Sequence, residues 1–194
     1  MSEQQQEGGS DAEMLSSCDH DIADGTVFSV EGAHLKAIRT PGHTDDSVCF
    51  MLEEEGAIFS GDCVLGGRTT TITCHCSLLS SLTALEALKP KSIYPGHGPF
   101  VSNALVKLRS DKNHRSQIEK GVLKQLQSEK TVVSQASVAA AMYGPLELPA
   151  PLYCSAVRNV ELAIIKLQKD GTVHAVEAPT GSGDKPYICL GQVD

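Results

Sequence analysis

"TPGHTDDSVCF", residues 40–50, decides how this chain is read. A strand-like run ends at Thr40. Pro41 and Gly42 then break it and deliver His43 into a turn with Asp45 and Asp46, before a second apolar run begins at Ser47. Loops held by a rigid sheet are where binding and catalytic side chains concentrate. Two later stretches are built the same way. "AIFSGDCVLGG" (57–67) places Asp62 directly after an apolar run, and "SIYPGHGPF" (92–100) does so for His97. The separations, 19 and 35 residues, are far too long for one local turn and fit three neighbouring loops along one sheet edge. Singly, a loop histidine is usually a surface residue and Gly-Asp is a common turn. Together, two imidazoles and a carboxylate form a donor set suited to zinc or a similar divalent ion.

Working outward, short β-branched or aromatic runs cover 26–30, 33–40, 47–52 and 57–61, with turn signals between them. Leu78, Leu79, Leu82, Leu85 and Leu88 at helical spacing predict a helix over 77–90, stopped by Pro90. Residues 92–94 read as a strand and 103–127 as a long helix. Strands first, then helix, strand and helix, predict an α+β fold with helices packed on one face of a sheet. Beyond residue 128 the pattern is a short helix ending at Gly144, a proline-rich connection (145–151) and a helix over 154–171 capped by Gly171. "TVHAVE" follows as a strand, and the whole resembles a winged helix. The division expected is a flexible segment 1–24, a main domain 25–127, a winged-helix-like unit 128–176 and an aperiodic tail 177–194.

A chain of 194 residues, 41% hydrophobic and 21% charged, is long enough for a real core and ordinary for a globular protein. Aromatics are only 4%, so that core rests on Leu, Val, Ile and Ala. The net charge of −8 excludes nucleic-acid binding by bulk charge, and a local basic patch would be required. Seven irregularly spaced cysteines, with no secretory leader, read as reduced thiols in an intracellular protein. No apolar run approaches membrane-spanning length. "MSEQQQEGGSDAEM" lacks the Arg-rich pattern of a mitochondrial presequence.

"TPGHTDDS", "FSGDCVLG" and "YPGHGP" resemble, in this order, three motifs of the metallo-β-lactamase superfamily. "IFSGDCVLGG" and "IYPGHGPFVSNA" are especially similar to its β-lactamase-like protein 2 branch, over residues 24 to about 176. The resemblance implies part of an αββα sandwich with a winged-helix-like C-terminal unit. It implies a zinc-dependent endoribonuclease acting on single-stranded RNA in the mitochondrial matrix; without a presequence, a cytoplasmic location is the alternative. It implies that His43 ligates a first zinc ion, Asp62 bridges two, and His97 ligates the second.

The superfamily's principal metal motif, His-x-His-x-Asp-His, is absent from these 194 residues, and "CDHD" (18–21) reads as a coincidence. The expectation is therefore a truncated product with half the sandwich missing, two protein ligands per ion with one shared, weak zinc binding and weak or lost activity. Cys74, His75 and Cys76 are candidate replacement ligands; in an extended segment the two thiols share a face and His75 points away. Lys36, Arg39, Lys107, Arg109, Lys112 and Arg115 are candidate phosphate contacts, weighed against a solvated helix face balanced by Asp111 and Glu119. Ile118 stands where the family has an arginine. Arg158 and Lys166 are candidate RNA contacts of the winged-helix-like unit. Two other readings stand beside the nuclease: a non-catalytic binding protein that keeps that unit, and a thioester or glyoxalase-type hydrolase.

Overall fold

A computed structural model describes residues 22–129, 133–144, 150–176 and 187–190. The chain order is β1 (Val27–Val30), β2 (Ala33–Arg39), β3 (Val48–Leu52), β4 (Ala57–Gly61), α1 (His75–Ala87), β5 (Ser92–Pro95), α2 (Ala104–Glu129), β6 (Val133–Ser134), α3 (Gln135–Tyr143), α4 (Ala150–Lys169), β7 (Val173–Val176) and β8 (Tyr187–Leu190). The first five strands form one sheet in sequence order. β1 to β4 pair antiparallel through tight turns. β5 lies parallel to β4, which requires a crossover, and α1 provides it. The fold is α+β as expected, and the five predicted strands fall within two residues of their expected bounds.

Alternation along the strands sets the layers. Ile38, Cys49, Ile58 and Ile93 share one face and pack on Leu78, Leu82 and Leu85 of α1, Ala104 and Leu108 of α2, and Leu162 of α4. α1 ends through Lys89, whose φ of 53° is left-handed, directly before the Pro90 that stops it. It begins at His75, two residues earlier than the leucine spacing predicts, so Cys74 is its N-cap. His75 and Cys76 therefore lie in a helical turn, not in the extended segment assumed for them.

α2 joins two cores. Its first half serves the sheet. Its second half gives Ile118, Val122 and Leu126 to a cluster with Val138 and Ala139 of α3, Val160, Ala163, Ile164 and Leu167 of α4, and Val173 of β7. Ile118, 3% exposed, is thus a core residue of this second cluster. The antiparallel sheet β6-β8-β7 completes the unit. β8 falls in the segment read as an aperiodic tail: four residues paired mainly with β7 are too short for a periodic signal. α4 starts at Ala150, four residues earlier than predicted. Gly171 caps it, with φ 73°, its N–H on Gln168 and that of Thr172 on Leu167. The expected segment 1–24 lies, up to residue 21, outside the described residues. No helix among those described is long and apolar enough to cross a membrane.

A buried polar knot ties α1, α2 and α4. His75 Nε2 lies 2.9 Å from Glu119 Oε1, and Lys166 donates to Glu119 Oε2 at 2.7 Å. His75 Nδ1 is buried with no partner. A neutral ring that donates from Nε2 leaves only a lone pair stranded there, whereas protonation would strand an N–H. Burial accordingly holds the His75 pKa below its ordinary 6.5, against the pull of Glu119. The unfolded chain therefore takes up this proton at higher pH than the folded chain. The stabilising contribution is complete above about 6.5 and lost as pH falls toward the lower folded value. His75→Gln keeps a donor for Glu119 and cannot titrate. Urea midpoints followed below about pH 6.5 should fall more steeply for the parent chain than for His75→Gln; equal slopes would contradict the assignment.

Candidate active site at one sheet edge

Two antiparallel steps make β4 run in the same direction as β2, and β5 is parallel to β4. The C-terminal ends of β2, β4 and β5 thus open on the same edge, and the loops after them carry His43, Asp62 and His97.

Each loop is held by backbone bonds made where side chains are missing. In the first, Thr40 N–H bonds Ser47 O at 2.8 Å, closing the turn. The Gly42 carbonyl accepts from Thr73 and Cys74 N–H at 2.8 and 3.3 Å. A Cβ on Gly42 would stand 2.5 Å from Leu78 backbone atoms, so only glycine lets this loop lie on the start of α1. That contact brings His43 to the irregular segment 69–72, where Nδ1–H donates to Thr71 O at 2.8 Å, with Thr70 Oγ1 3.1 Å away.

The second and third loops cross backbone on backbone. Gly66 N–H bonds His97 O at 2.9 Å. A Cβ on Gly66 would lie 2.0 Å from Pro99 O, and one on Gly98 2.1 Å from Gly66 O. In this crossing His97 Nδ1 sits 2.6 Å from Asp62 Oδ1, while Asp62 Oδ2 is 3.8 Å from His43 Nε2. The three predicted side chains therefore meet at one point, graded from His43 (27% exposed) to His97 (67% exposed).

They line an open cavity of about 680 Å³. Arg68 and Thr69–Ile72 contribute from the connection into α1. Cys154, Ser155, Arg158 and Asn159 contribute from α4, so this helix forms part of the site's wall. The sequence reading missed Arg68, Thr70 and Thr71, which lie in irregular backbone with no periodic signal, and Cys154, Ser155 and Asn159, whose place depends on how α4 packs. Arg115, read as a possible phosphate contact, is 1% exposed instead. It donates from Nη2 to Thr70 O at 2.5 Å and from Nη1 to Asn159 Oδ1 at 2.7 Å. The rest of the supposed basic ridge is committed to the fold. Lys107 bonds Arg68 O and Asp111, and Arg109 and Lys112 both hold Glu86. Lys166 serves Glu119 and Asp170. Of the cations singled out from sequence, Arg158 alone reaches the cavity.

The donor chemistry of His43, Asp62 and His97 fits a divalent ion in type. With Nδ1–H given to a carbonyl, His43 presents the Nε2 lone pair, the arrangement typical of metal-bound imidazole. The number does not suffice for two ions. Among the described residues no group of three or more His, Cys, Asp or Glu side chains, this trio included, is arranged as a ready-made metal site. His75 is turned away to Glu119, separated from the thiols that flank it in sequence. Of these, Cys74 has its pKa lowered by hydrogen bonds from Ser77, and Cys76 has its raised by burial.

A family model described as the metallo-beta-lactamase superfamily matches residues 4–97, a span that contains all three side chains. The chain belongs to the metallo-β-lactamase superfamily. A Caenorhabditis elegans "Beta-lactamase-like protein 2 homolog" is 38% identical over 79% of this chain and 51% of that protein. Its Drosophila melanogaster counterpart is 35% identical over 78% and 51%. An Aspergillus fumigatus "Atrochrysone carboxyl ACP thioesterase" is 43% identical over 61% and 39%. A beta-lactamase domain protein from Burkholderia ambifaria shares the fold at TM-score 0.76 and 17% identity, over 88% of this chain and 52% of that one. The chain spans about half the length of the curated relatives it matches.

The loop crossing has a measurable cost of disruption. Gly67→Ala strains only a backbone at φ 83°, since the nearest contact is 3.8 Å away, and should cost about 1 kcal/mol. Gly98→Ala adds a collision with Gly66 to the strain at φ 88°, and should cost about 2–3 kcal/mol more. Urea unfolding of both variants checks the difference.

Proposed function

We propose that this chain carries one side of a zinc-dependent hydrolase site that takes phosphodiester substrates, single-stranded RNA among them. The observation that carries the reading is the joint lining of one cavity by His43, Asp62 and His97 and by two exposed arginines, Arg68 and Arg158. Guanidinium groups are the side chains best matched to phosphate oxygens. An ion held by His43 Nε2, Asp62 and His97 would supply Lewis-acid polarisation of the phosphoryl oxygen. Asp62, the one anion of the trio, orients the His97 imidazole, the Thr71 carbonyl orients that of His43, and the arginines would hold the flanking phosphates. With three donor side chains, one of them a carboxylate, zinc retention by these residues alone is expected to be weak.

A second reading is favoured by a specific observation. The fungal relative named as an acyl carrier protein thioesterase matches at 43% identity, so an acyl thioester is the competing substrate class.

Zinc titration followed by cleavage assays separates them. Asp62→Asn preserves shape and removes the charge next to both histidines; it should weaken zinc binding by at least about tenfold and abolish hydrolysis of either substrate. Cys74→Ser should leave zinc affinity unchanged. Arg68→Ala and Arg158→Ala should each raise KM for labelled single-stranded RNA about five- to tenfold, with salt dependence reduced. Thioester cleavage with RNA left intact moves the assignment to the second reading, and zinc binding indifferent to Asp62→Asn removes the site.

A further inference from the structure

Arg115 heads the fully buried side chains by volume. Burying a guanidinium is expensive unless its donors are satisfied, and the buried Asp111, one turn earlier on α2, compensates its charge without accepting a hydrogen bond from it. Its two recorded partners are neutral and lie on separate pieces of chain. Nη2 donates to Thr70 O at 2.5 Å, and Nη1 to Asn159 Oδ1 at 2.7 Å. Thr70 lies in the stretch 69–72, which has no helix or strand to fix it. The next carbonyl along, Thr71 O, accepts the Nδ1–H of His43, and the Thr70 hydroxyl stands 3.1 Å from the same nitrogen. A stretch of irregular backbone thus decides which His43 nitrogen carries the proton, and Arg115 is the buried group that holds this stretch from behind.

We propose that Arg115 is a positioning residue for His43. By gripping the Thr70 carbonyl it fixes the Thr70–Thr71 peptide, and this holds His43 as the Nδ1–H tautomer with the Nε2 lone pair directed at Asp62. Its second arm pins Asn159, and so sets α4 as the opposite wall against the same anchor. A lysine cannot replace it: one ammonium lacks the planar fork that reaches two acceptors 44 and 45 residues away in sequence. The inference rests on His43 belonging to the site and is independent of which ester the site takes.

The test reads the tautomer, not turnover. In the full chain labelled with ¹⁵N-histidine, long-range ¹H–¹⁵N spectra at about pH 8, where an ordinary imidazole is neutral, distinguish Nδ1–H from Nε2–H. The parent chain should show His43 predominantly as Nδ1–H. Arg115→Lys and Arg115→Met should raise the Nε2–H population several-fold. Asn159→Ala, which cuts only the other arm, should leave the tautomer as in the parent. Two results overturn the proposal: a parent chain whose His43 is not Nδ1–H, which needs no variant to be folded, or a folded Arg115→Lys whose His43 spectrum is unchanged. Loss of RNA cleavage with the predicted tautomer pattern intact would count against the proposed substrate and leave this inference standing.

Discussion

The Gly66 N–H bond to the His97 carbonyl is made at a separation that admits no side chain on Gly66 or Gly98. This contact determines how the loops after β4 and β5 lie, and the geometry of the site follows from it. Parallel pairing of β4 and β5 brings both loops to the same edge. Pairing alone does not close the crossing, because Cβ atoms at 66 and 98 would meet backbone at 2.0 and 2.1 Å and hold the two loops apart. Gly96 extends the same constraint: a Cβ there would stand 2.8 Å from Asp62 Oδ1, in the space through which the carboxylate reaches His97. Gly42 does the equivalent for His43 against α1. The site is built from backbone approach, and side chains are placed by it.

That origin explains what could be read from sequence. His43, Asp62 and His97 each follow an apolar run and stand among glycines, so strand periodicity and turn chemistry both mark them. The structure brings all three together. The α+β class and the helical C-terminal unit were equally legible, because Leu78, Leu82 and Leu85, and Val160, Ile164 and Leu167, repeat at helical spacing. Arg115, Thr70 and Asn159 gave no such signal. Arg115 sits among Lys107, Arg109 and Lys112, and in a linear string a buried cation looks like its solvated neighbours. Its role appears only once α4 has packed across α2 and made the second acceptor available. The start of α1 at His75 was obscured for a related reason, since burial of His75 against Glu119 is a tertiary event with no local pattern.

The five-stranded sheet is apolar on both faces, which few exposed antiparallel sheets are. Opposite the helices lie Phe28, Leu35, Phe50, Leu52, Phe59 and Tyr94, in cross-strand register. Phe59 stacks on Tyr94 at 5.2 Å and Tyr94 meets Phe100 at 4.8 Å, yet Phe59, Tyr94 and Phe100 remain 41–52% exposed. Aromatic contacts within a face recover only part of what a second layer would bury. The αββα sandwich that the resemblance implies has that layer, and the two animal relatives are about one and a half times as long as this chain. The exposed face has the composition of a sheet–sheet interface. The cavity, opening at the sheet edge, depends on the helix-covered face and on α4.

Electrostatics separate the two roles that basic residues take in this acidic chain. Lys107, Arg109, Lys112 and Lys166 each spend their charge on a carboxylate from the same or a neighbouring helix, at 2.7–2.9 Å. Such pairs contribute little each, but Glu86 of α1 gathers two groups from α2, Glu119 of α2 gathers one from α1 and one from α4, and these networks register the three helices. A nucleic-acid surface would need the same cations free, and they are not. Arg68 and Arg158 differ, because both are exposed and both line the cavity. Among the described residues, Arg158 is held by a 3.4 Å contact with Glu161 on its own helix. Against a net charge of −8, positive potential beside His43, Asp62 and His97 is local by construction. The two guanidinium groups and the His43–Asp62–His97 trio thus stand on the wall of one cavity, while the helix cations are held away from it by their carboxylates.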